Sequence, residues 1–384
     1  MSVQEAARIA LWAAFAVLVY AYVGYPLLMA VLARFFGRHL RQSDPVPQRV
    51  SILMSVRNEA GRIRDRLAEL TRRLAAATPH GEIIVVCDGC TDATAAIANE
   101  FHESGVRVLE IPEGVGKAAA VTRGVATSGA DVILLADARQ RFDSQTIPSL
   151  LSPFADPSVG GVSGELVLEE SPGVLAGVGA YWKYEKWLRK NESKLHSQIG
   201  ATGAVSAVRR KYFEPIPDGL ILDDVYWPMQ VVAKHRRRVV FQADAKAYDQ
   251  LSEHAGDEFR RKVRTLNGNL QLVAAAPRLI LLGFNPLWGR FISHKLLRLA
   301  CPWAIVLMVP AAILAGDAVS LFVLGVISGF ALTGALALLT PLGKANRILS
   351  TVGSFTMLNM AAFLATCYWV LRRESDRLWV TNRG

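Results

Sequence analysis

Residues 9–33 run without one charged side chain, and a stretch of that length has few places to go in a water-soluble fold. At 1.5 Å of rise per residue it forms a helix long enough to cross the roughly 30 Å hydrocarbon core of a bilayer. Taken on to residue 36, it holds Leu11, Trp12, Phe15, Leu18, Tyr20, Tyr22, Tyr25, Leu27 and Leu28. A signal peptide would have a shorter apolar region and a small-residue cleavage site; residues 1–42 are therefore expected to be an uncleaved anchor. Arg34, Arg38 and Arg41 follow it, so the positive-inside rule places the next domain in the cytoplasm.

Three more apolar segments cover residues 299–315, 319–342 and 349–371. The first two, with Asp317 at the turn, are expected to form a hairpin. The third carries Ser350, Thr351, Ser354, Thr356 and Asn359, which leaves a re-entrant or interfacial placement open. Residues 288–298 (WGRFISHKLLR) mix apolar side chains with Arg290, Lys295 and Arg298, the pattern of an interfacial amphipathic helix or of a charged flank to the next span. Three crossings would put the tail outside, whereas Arg372, Arg373, Arg377 and Arg383 in the basic tail (373–384, with Arg372 at its edge) favour the inside. The expectation is an inside tail and a last segment, ending the 299–372 region, that does not fully cross. The protein is thus expected at the cell membrane as a multi-pass chain.

Composition agrees. The 384 residues are 52% hydrophobic with only 20% charged and four cysteines, which excludes a disordered chain and a disulfide-stapled secreted scaffold. The net charge of +10 suits a cytoplasmic membrane face and anionic substrates. Nucleic acid is not expected as a partner, because the basic clusters at 236–238 and 260–264 are not interleaved with exposed aromatics.

Between residues 43 and 287 short apolar runs alternate with amphipathic stretches, enough for one α/β domain. Residues 50–56, 82–87, 106–111 and 132–136 read as strands, and 61–77, 91–101 and 116–127 as helices. Residues 132–136 (VILLA) are apolar throughout, as a strand buried on both faces must be. The alternation predicts a doubly wound, largely parallel sheet with its ligand site beyond the carboxyl ends of the strands. Polar residues gather there: Ser55, Arg57, Asn58 and Glu59; Asp88, Thr91 and Asp92; Asp137 and Arg139. One Asp after a strand is commonly a helix cap, but polar clusters at three of the four strand ends point to a shared site. A phosphate-binding loop is excluded because Ala118 follows Lys117 and Ile111 stands at the first glycine position. A dinucleotide fingerprint is excluded by the sequence after the first strand. Cys87 and Cys90 lack a second ligand pair for zinc.

The ordered set Ser55-Val-Arg-Asn-Glu59, Asp88-Gly-Cys-Thr-Asp92, Gly116-Lys117, Asp137-Ala-Arg139, Thr202-Gly203-Ala204, Asp223-Asp224 and Arg261-Lys-Val-Arg264 resembles the family 2 glycosyltransferases, inverting enzymes with a GT-A fold. The flanking apolar segments resemble the polysaccharide-synthase branch, with cellulose, hyaluronan and poly-N-acetylglucosamine synthases, and Trp379-Val-Thr-Asn-Arg383 is similar to a Trp-x-Thr-x-Arg ending of some of these. The resemblance implies that Arg57, Glu59 and Asp88 hold the uridine and ribose of a UDP-sugar, with Ser55 and Lys117 beside them. It implies that Asp137 holds Mg²⁺ or Mn²⁺ on the diphosphate, while Arg139 replaces the second Asp of Asp-x-Asp, removing one ligand and adding a positive charge. Asp224 matches the general base; Gly203, Asp223, Arg261 and Arg264 complete the substrate-binding set. Arg261 and Thr265 replace the Gln and Trp of the family's Gln-x-x-Arg-Trp. The function implied is transfer of a hexose or N-acetylhexosamine, with inversion, to a lipid-linked or growing glycan acceptor in polysaccharide biosynthesis of the cell envelope. The alternatives are transfer to polyprenyl phosphate and a catalytically silent scaffold.

Overall fold

The computed structural model describes residues 1–41, 43–47, 49–78, 80–169, 176–250, 255–340 and 346–371. The tail arginines and the Trp379–Arg383 resemblance lie outside the described residues. Helix α1 (Val3–Val19), a π-helical turn (Tyr20–Gly24) and α2 (Tyr25–Phe36) form the N-terminal rod. Ser2 and Glu5 close a capping box at its start: Glu5 N–H donates to Ser2 Oγ over 3.2 Å and Ser2 N–H to the Glu5 carboxylate over 2.7 Å, which satisfies two of the orphan donors.

The central domain alternates β1 (Arg49–Val56), α3 (Ala60–Ala77), β2 (His80–Asp88), α4 (Thr94–Asn99), β3 (Val106–Ile111), α5 (Lys117–Thr127) and β4 (Val132–Ala136), close to the expected bounds. It continues through β5 (Arg141–Phe142), α6 (Thr146–Leu151), β6 (Val159–Glu169), α7 (Ala176–Leu195), β7 (Val205–Arg209), α8 (Asp223–Ala233), β8 (Arg238–Gln250) and α9 (Ala255–Ala275). The eight strands make one mixed sheet in the order β3-β2-β1-β4-β7-β6-β8-β5. The first four are parallel, and β7 runs antiparallel to both β4 and β6.

Each face of the sheet is sealed by its own cluster. On one, Ile63, Leu67 and Leu70 of α3 cover Ile52, Met54 and Val85. On the other, Val121 of α5 and Trp227, Met229 and Val231 of α8 cover Leu53, Ile133 and Leu135. This two-sided burial explains the unbroken apolar strands, since parallel strands have no solvent face to leave polar.

The C-terminal part returns to long apolar helices: α10 (Trp288–Phe291), a π-helical turn (Ile292–Leu296) and α11 (Leu297–Ala315) form one rod, followed by α12 (Ala318–Leu339) and α13 (Arg347–Val370). With the N-terminal rod, four helices among the described residues are long and apolar enough to cross a membrane. Leu27, Val31, Phe322, Leu332 and Val370 on them are each more than half exposed, the disposition of a lipid-facing surface. Of residues 349–371, for which the sequence leaves a re-entrant placement open, 349–370 lie on the single helix α13, which is of spanning length. The 288–298 segment continues into α11, and its polar residues Ser293, His294 and Arg298 are buried.

Candidate active site

The chain reverses its winding between β1 and β4, which are sheet neighbours, so their carboxyl ends open a crevice of the kind that holds ligands in doubly wound folds. Ser55 is near the end of β1, and Arg57, Asn58 and Glu59 follow in the loop. Asn58 takes a left-handed conformation at φ 54°, and its Oδ1 accepts the Thr91 N–H over 2.8 Å. Asp92 accepts the N–H groups of Ala60 at 3.1 Å and Thr94 at 3.0 Å. These bonds fasten the loop after β1 to the loop after β2, so Asn58, Thr91 and Asp92 are loop clamps. Glu59 pairs with Arg62 at 3.2 Å.

Asp88, at the end of β2 and 4% exposed, accepts the N–H groups of Val115 at 2.6 Å and Gly116 at 2.8 Å. The next residue, Gly89, has φ 64°, and a Cβ there would come within 2.9 Å of Gly114 Cα. Only glycine allows the two loops to approach this closely. A Cβ at Gly114 would in turn lie 3.8 Å from the Arg57 guanidinium, which puts Arg57 beside the same loop. Asp88 thereby holds the turn that delivers Lys117, the first residue of α5.

Lys117 Nζ donates to Asp137 Oδ1 over 3.0 Å. Because β7 is antiparallel to β4, with Val205 opposite Ala136, the segment before β7 arrives at the same edge. A Cβ on Gly203 would lie 3.5 Å from Lys117 Nζ and 3.8 Å from Asp224 Cβ. The Ala201 N–H donates to Asp224 O over 2.7 Å, tying that segment to the first turn of α8, where the helix dipole favours both Asp223 and Asp224. Lys117, Asp137, Gly203, Asp223 and Asp224 thus meet at one edge of the sheet.

Three carboxylates here face one ammonium. Asp137, helped by Asp223 and Asp224, holds Lys117 above the ordinary lysine range, so it is protonated at any accessible pH. Burial, reinforced by Asp223, pushes Asp224 up to about 6; burial also raises Asp223, which is 8% exposed. Such a surplus of negative charge fits a divalent cation held by Asp137 and completed by phosphate oxygens and water. Among the described residues no group of three or more His, Cys, Asp or Glu side chains is arranged to hold a metal by itself.

The other expected residues lie apart from this group. Arg139 pairs with Asp249 of β8 at 2.5 Å rather than with Asp137. Arg261, on α9, pairs with Glu258, and Arg264 lies one turn further along. Helix α9 is fixed to the apolar helix α13 by Val263 against Ala361 and Ala365 and by Asn267 Nδ2 donating to Ala365 O over 3.1 Å. Sequence reasoning missed a buried polar group in which Glu185 and Glu192 of α7 bracket His294 at 3.1 and 2.9 Å, Arg298 pairs with Glu185, and Tyr25 Oη donates to Glu192 over 2.5 Å. Burial opposes ionisation of Glu185, but Arg298 and His294 outweigh it and hold the carboxyl well below its usual range. The available signal was the seven-residue spacing of Glu185 and Glu192, which puts both on one helix face. From this side the charges of Lys295 and Arg189 reach Asp224.

Residues 51–216 match the family described as glycosyl transferase family 2. Asp223 and Asp224 lie just beyond the match. The chain is 23% identical over 189 residues to a poly-beta-1,6-N-acetyl-D-glucosamine synthase of Staphylococcus epidermidis, covering 48% of this chain and 43% of that one. It is 31% identical over 118 residues to a dodecaprenyl-phosphate galacturonate synthase of Rhizobium johnstonii, covering 29% and 34%. The matches span less than half the length of these curated relatives. Among solved structures, the mannosyltransferase PcManGT from Pyrobaculum calidifontis, in complex with GDP-Man and Mn²⁺, superposes with a TM-score of 0.71 at 20% identity over 95% of this chain and 100% of that one. The GT-A fold is therefore shared, and the likeness extends over the flanking helices.

Proposed function

We propose that the chain is a membrane-bound glycosyltransferase that moves a hexose or N-acetylhexosamine from a UDP-sugar, with inversion, onto a lipid-linked or growing glycan acceptor. The observation that carries this reading is the meeting of Lys117, Asp137, Gly203 and Asp224 at one sheet edge, although they come from four separate stretches of chain. Asp224, with its carboxyl near 6, is ionised at neutral pH yet basic enough to take the proton of an acceptor hydroxyl as the new bond to the sugar forms. One displacement by that oxygen inverts the anomeric centre. Lys117 supplies a fixed positive charge for the departing diphosphate, and the Asp88-anchored loop fixes where that charge sits. Gly203 leaves the space between Lys117 and Asp224 free for the sugar. Asp137 would hold Mg²⁺ or Mn²⁺, which when bound neutralises negative charge on the leaving nucleotide. Arg57 and Glu59 at the crevice edge suit the nucleoside, and Arg261 and Arg264 the acceptor side. The four apolar helices and the basic flank after α2 favour a multi-pass protein with this domain at the cytoplasmic face.

Purified protein incubated with a panel of radiolabelled sugar nucleotides, GDP-mannose included, should label a glycan or glycolipid from a UDP-sugar. Asp224→Asn should abolish transfer and keep UDP binding. Undiminished transfer by that variant removes Asp224 from the mechanism. A second reading, transfer to polyprenyl phosphate, is favoured by the cations Arg189 and Lys295 acting on Asp224 and by the Rhizobium relative. An acceptor that is already an anion needs no base, so transfer by that route would survive Asp224→Asn.

A further inference from the structure

We infer that α3 and the 138–142 segment frame a second binding site, for a small phosphate-bearing anion. A cavity of about 390 Å³ lies between α3 and the 138–142 segment, and its lining holds six arginines against Asp65 and Glu69. Four of the guanidiniums are matched: Arg62 by Glu59, Arg66 by Glu69, Arg139 by Asp249 and Arg141 by Glu169. Among the described residues Arg72 and Arg73 make no ion pair, and Arg73 Nε is buried without a hydrogen-bond partner. The cavity therefore carries more guanidinium than carboxylate, and the two unmatched arginines, Arg72 and Arg73, suit an anion with several acceptor oxygens. Phosphate has them, in the geometry a guanidinium fork prefers.

The site differs from the donor crevice in what forms its floor. Arg66 Nε donates to Asp137 O over 3.1 Å and its guanidinium lies 4.3 Å over the Phe142 ring, while Glu69 accepts the Phe142 N–H over 2.7 Å. A phosphate held by Arg72 and Arg73 would stiffen the 138–142 segment, because Arg73 also donates to Phe142 O over 3.5 Å. The binding itself does not depend on the glycosyl-transfer reading. The volume excludes a polymer and suits a free phosphate, a phosphorylated metabolite or a lipid headgroup.

The test uses the full chain with the donor crevice filled by UDP and Mg²⁺, titrated calorimetrically with inorganic phosphate. Wild-type protein should take up phosphate, and the Arg72→Ala/Arg73→Ala double variant should bind it about tenfold or more weakly while keeping its UDP affinity. Arg72→Glu, a change at an exposed position, should weaken phosphate binding alone. Bilayers of phosphatidylcholine with and without phosphatidic acid separate the two sources. Slowed hydrogen exchange over residues 138–142 on adding phosphate marks a soluble ligand, and the same slowing caused by phosphatidic acid marks a lipid one. No effect of either on wild type, or equal effects on the double variant, overturns the site.

Discussion

Asp224→Asn should make the protein more stable as it makes it inactive, and the size of the gain follows from the site. Asp224 titrates near 3.8 in an unfolded chain and near 6 in the folded one, about two units apart at 1.36 kcal/mol each, so the ionised carboxylate costs the fold at most about 3 kcal/mol. The sign is that of a raised acid: the penalty is absent below about pH 4 and complete above about pH 6, so folded stability falls as pH rises through that window. An Asn, neutral throughout, escapes the penalty. It forfeits the favourable charge in the first turn of α8, about 0.3–1 kcal/mol, which leaves a net gain of about 2 kcal/mol at pH 8 and none at pH 4. At roughly 2–4 °C per kcal/mol for a domain of this size, the melting temperature in detergent should rise by about 4–8 °C at pH 8. The assay is thermal unfolding of both proteins at pH 4 and pH 8. A variant equally or less stable than wild type at pH 8 would refute the picture of Asp224 as a carboxylate strained by burial and by Asp223.

Transfer by the wild-type enzyme should fall on the acid side with an apparent pKa near 6, read from the pH dependence of kcat/KM, as the base of the free enzyme becomes protonated. Lys117→Met should raise the KM for the UDP-sugar and also lower the melting temperature, because it removes the cation that offsets Asp137, Asp223 and Asp224; thermal shift and steady-state kinetics check both. Chelation by EDTA should suppress transfer, and added Mn²⁺ or Mg²⁺ should restore it in wild type but not in Asp137→Ala. Gly203→Ala places a methyl group 3.5 Å from Lys117 Nζ without requiring a backbone change, so it should fold normally and lose sugar transfer while UDP binding by calorimetry stays intact.

The parallel half of the sheet was legible because each of its strands is buried on both faces and must be apolar throughout. β1 to β4 therefore stand out from the polar loops around them, and their bounds emerged within a few residues. β6, β7 and β8 did not stand out: β6 opens on Val-Gly-Gly, alternates weakly, and pairs with β8 across two register irregularities. β5 is two residues long, too short for any period. The site was legible only in part for a related reason. Asp88, Lys117 and Asp137 stand at or after the ends of the consecutive strands β2, β3 and β4, so a local reading finds them together. Gly203 and Asp224 join them only because β7 inserts antiparallel beside β4 and brings the chain back to the same edge, a long-range event that no local pattern encodes.

The 288–298 segment makes the same point from the membrane side. Read alone, His294, Lys295 and Arg298 on an apolar helix belong among lipid headgroups, because a charge needs either water or a partner and the segment contains no acid. The partners are Glu185 and Glu192, more than a hundred residues earlier on α7, with Tyr25 from the N-terminal rod closing the group. Removing one member would leave an uncompensated charge or an unsatisfied acid in the interior, costing roughly 3–5 kcal/mol, so the network fixes how the apolar rods seat against the catalytic domain. Because Lys295 and Arg189 act on Asp224 from this same junction, the seating that holds the rods also sets the electrostatic surroundings of the carboxylate proposed as the base.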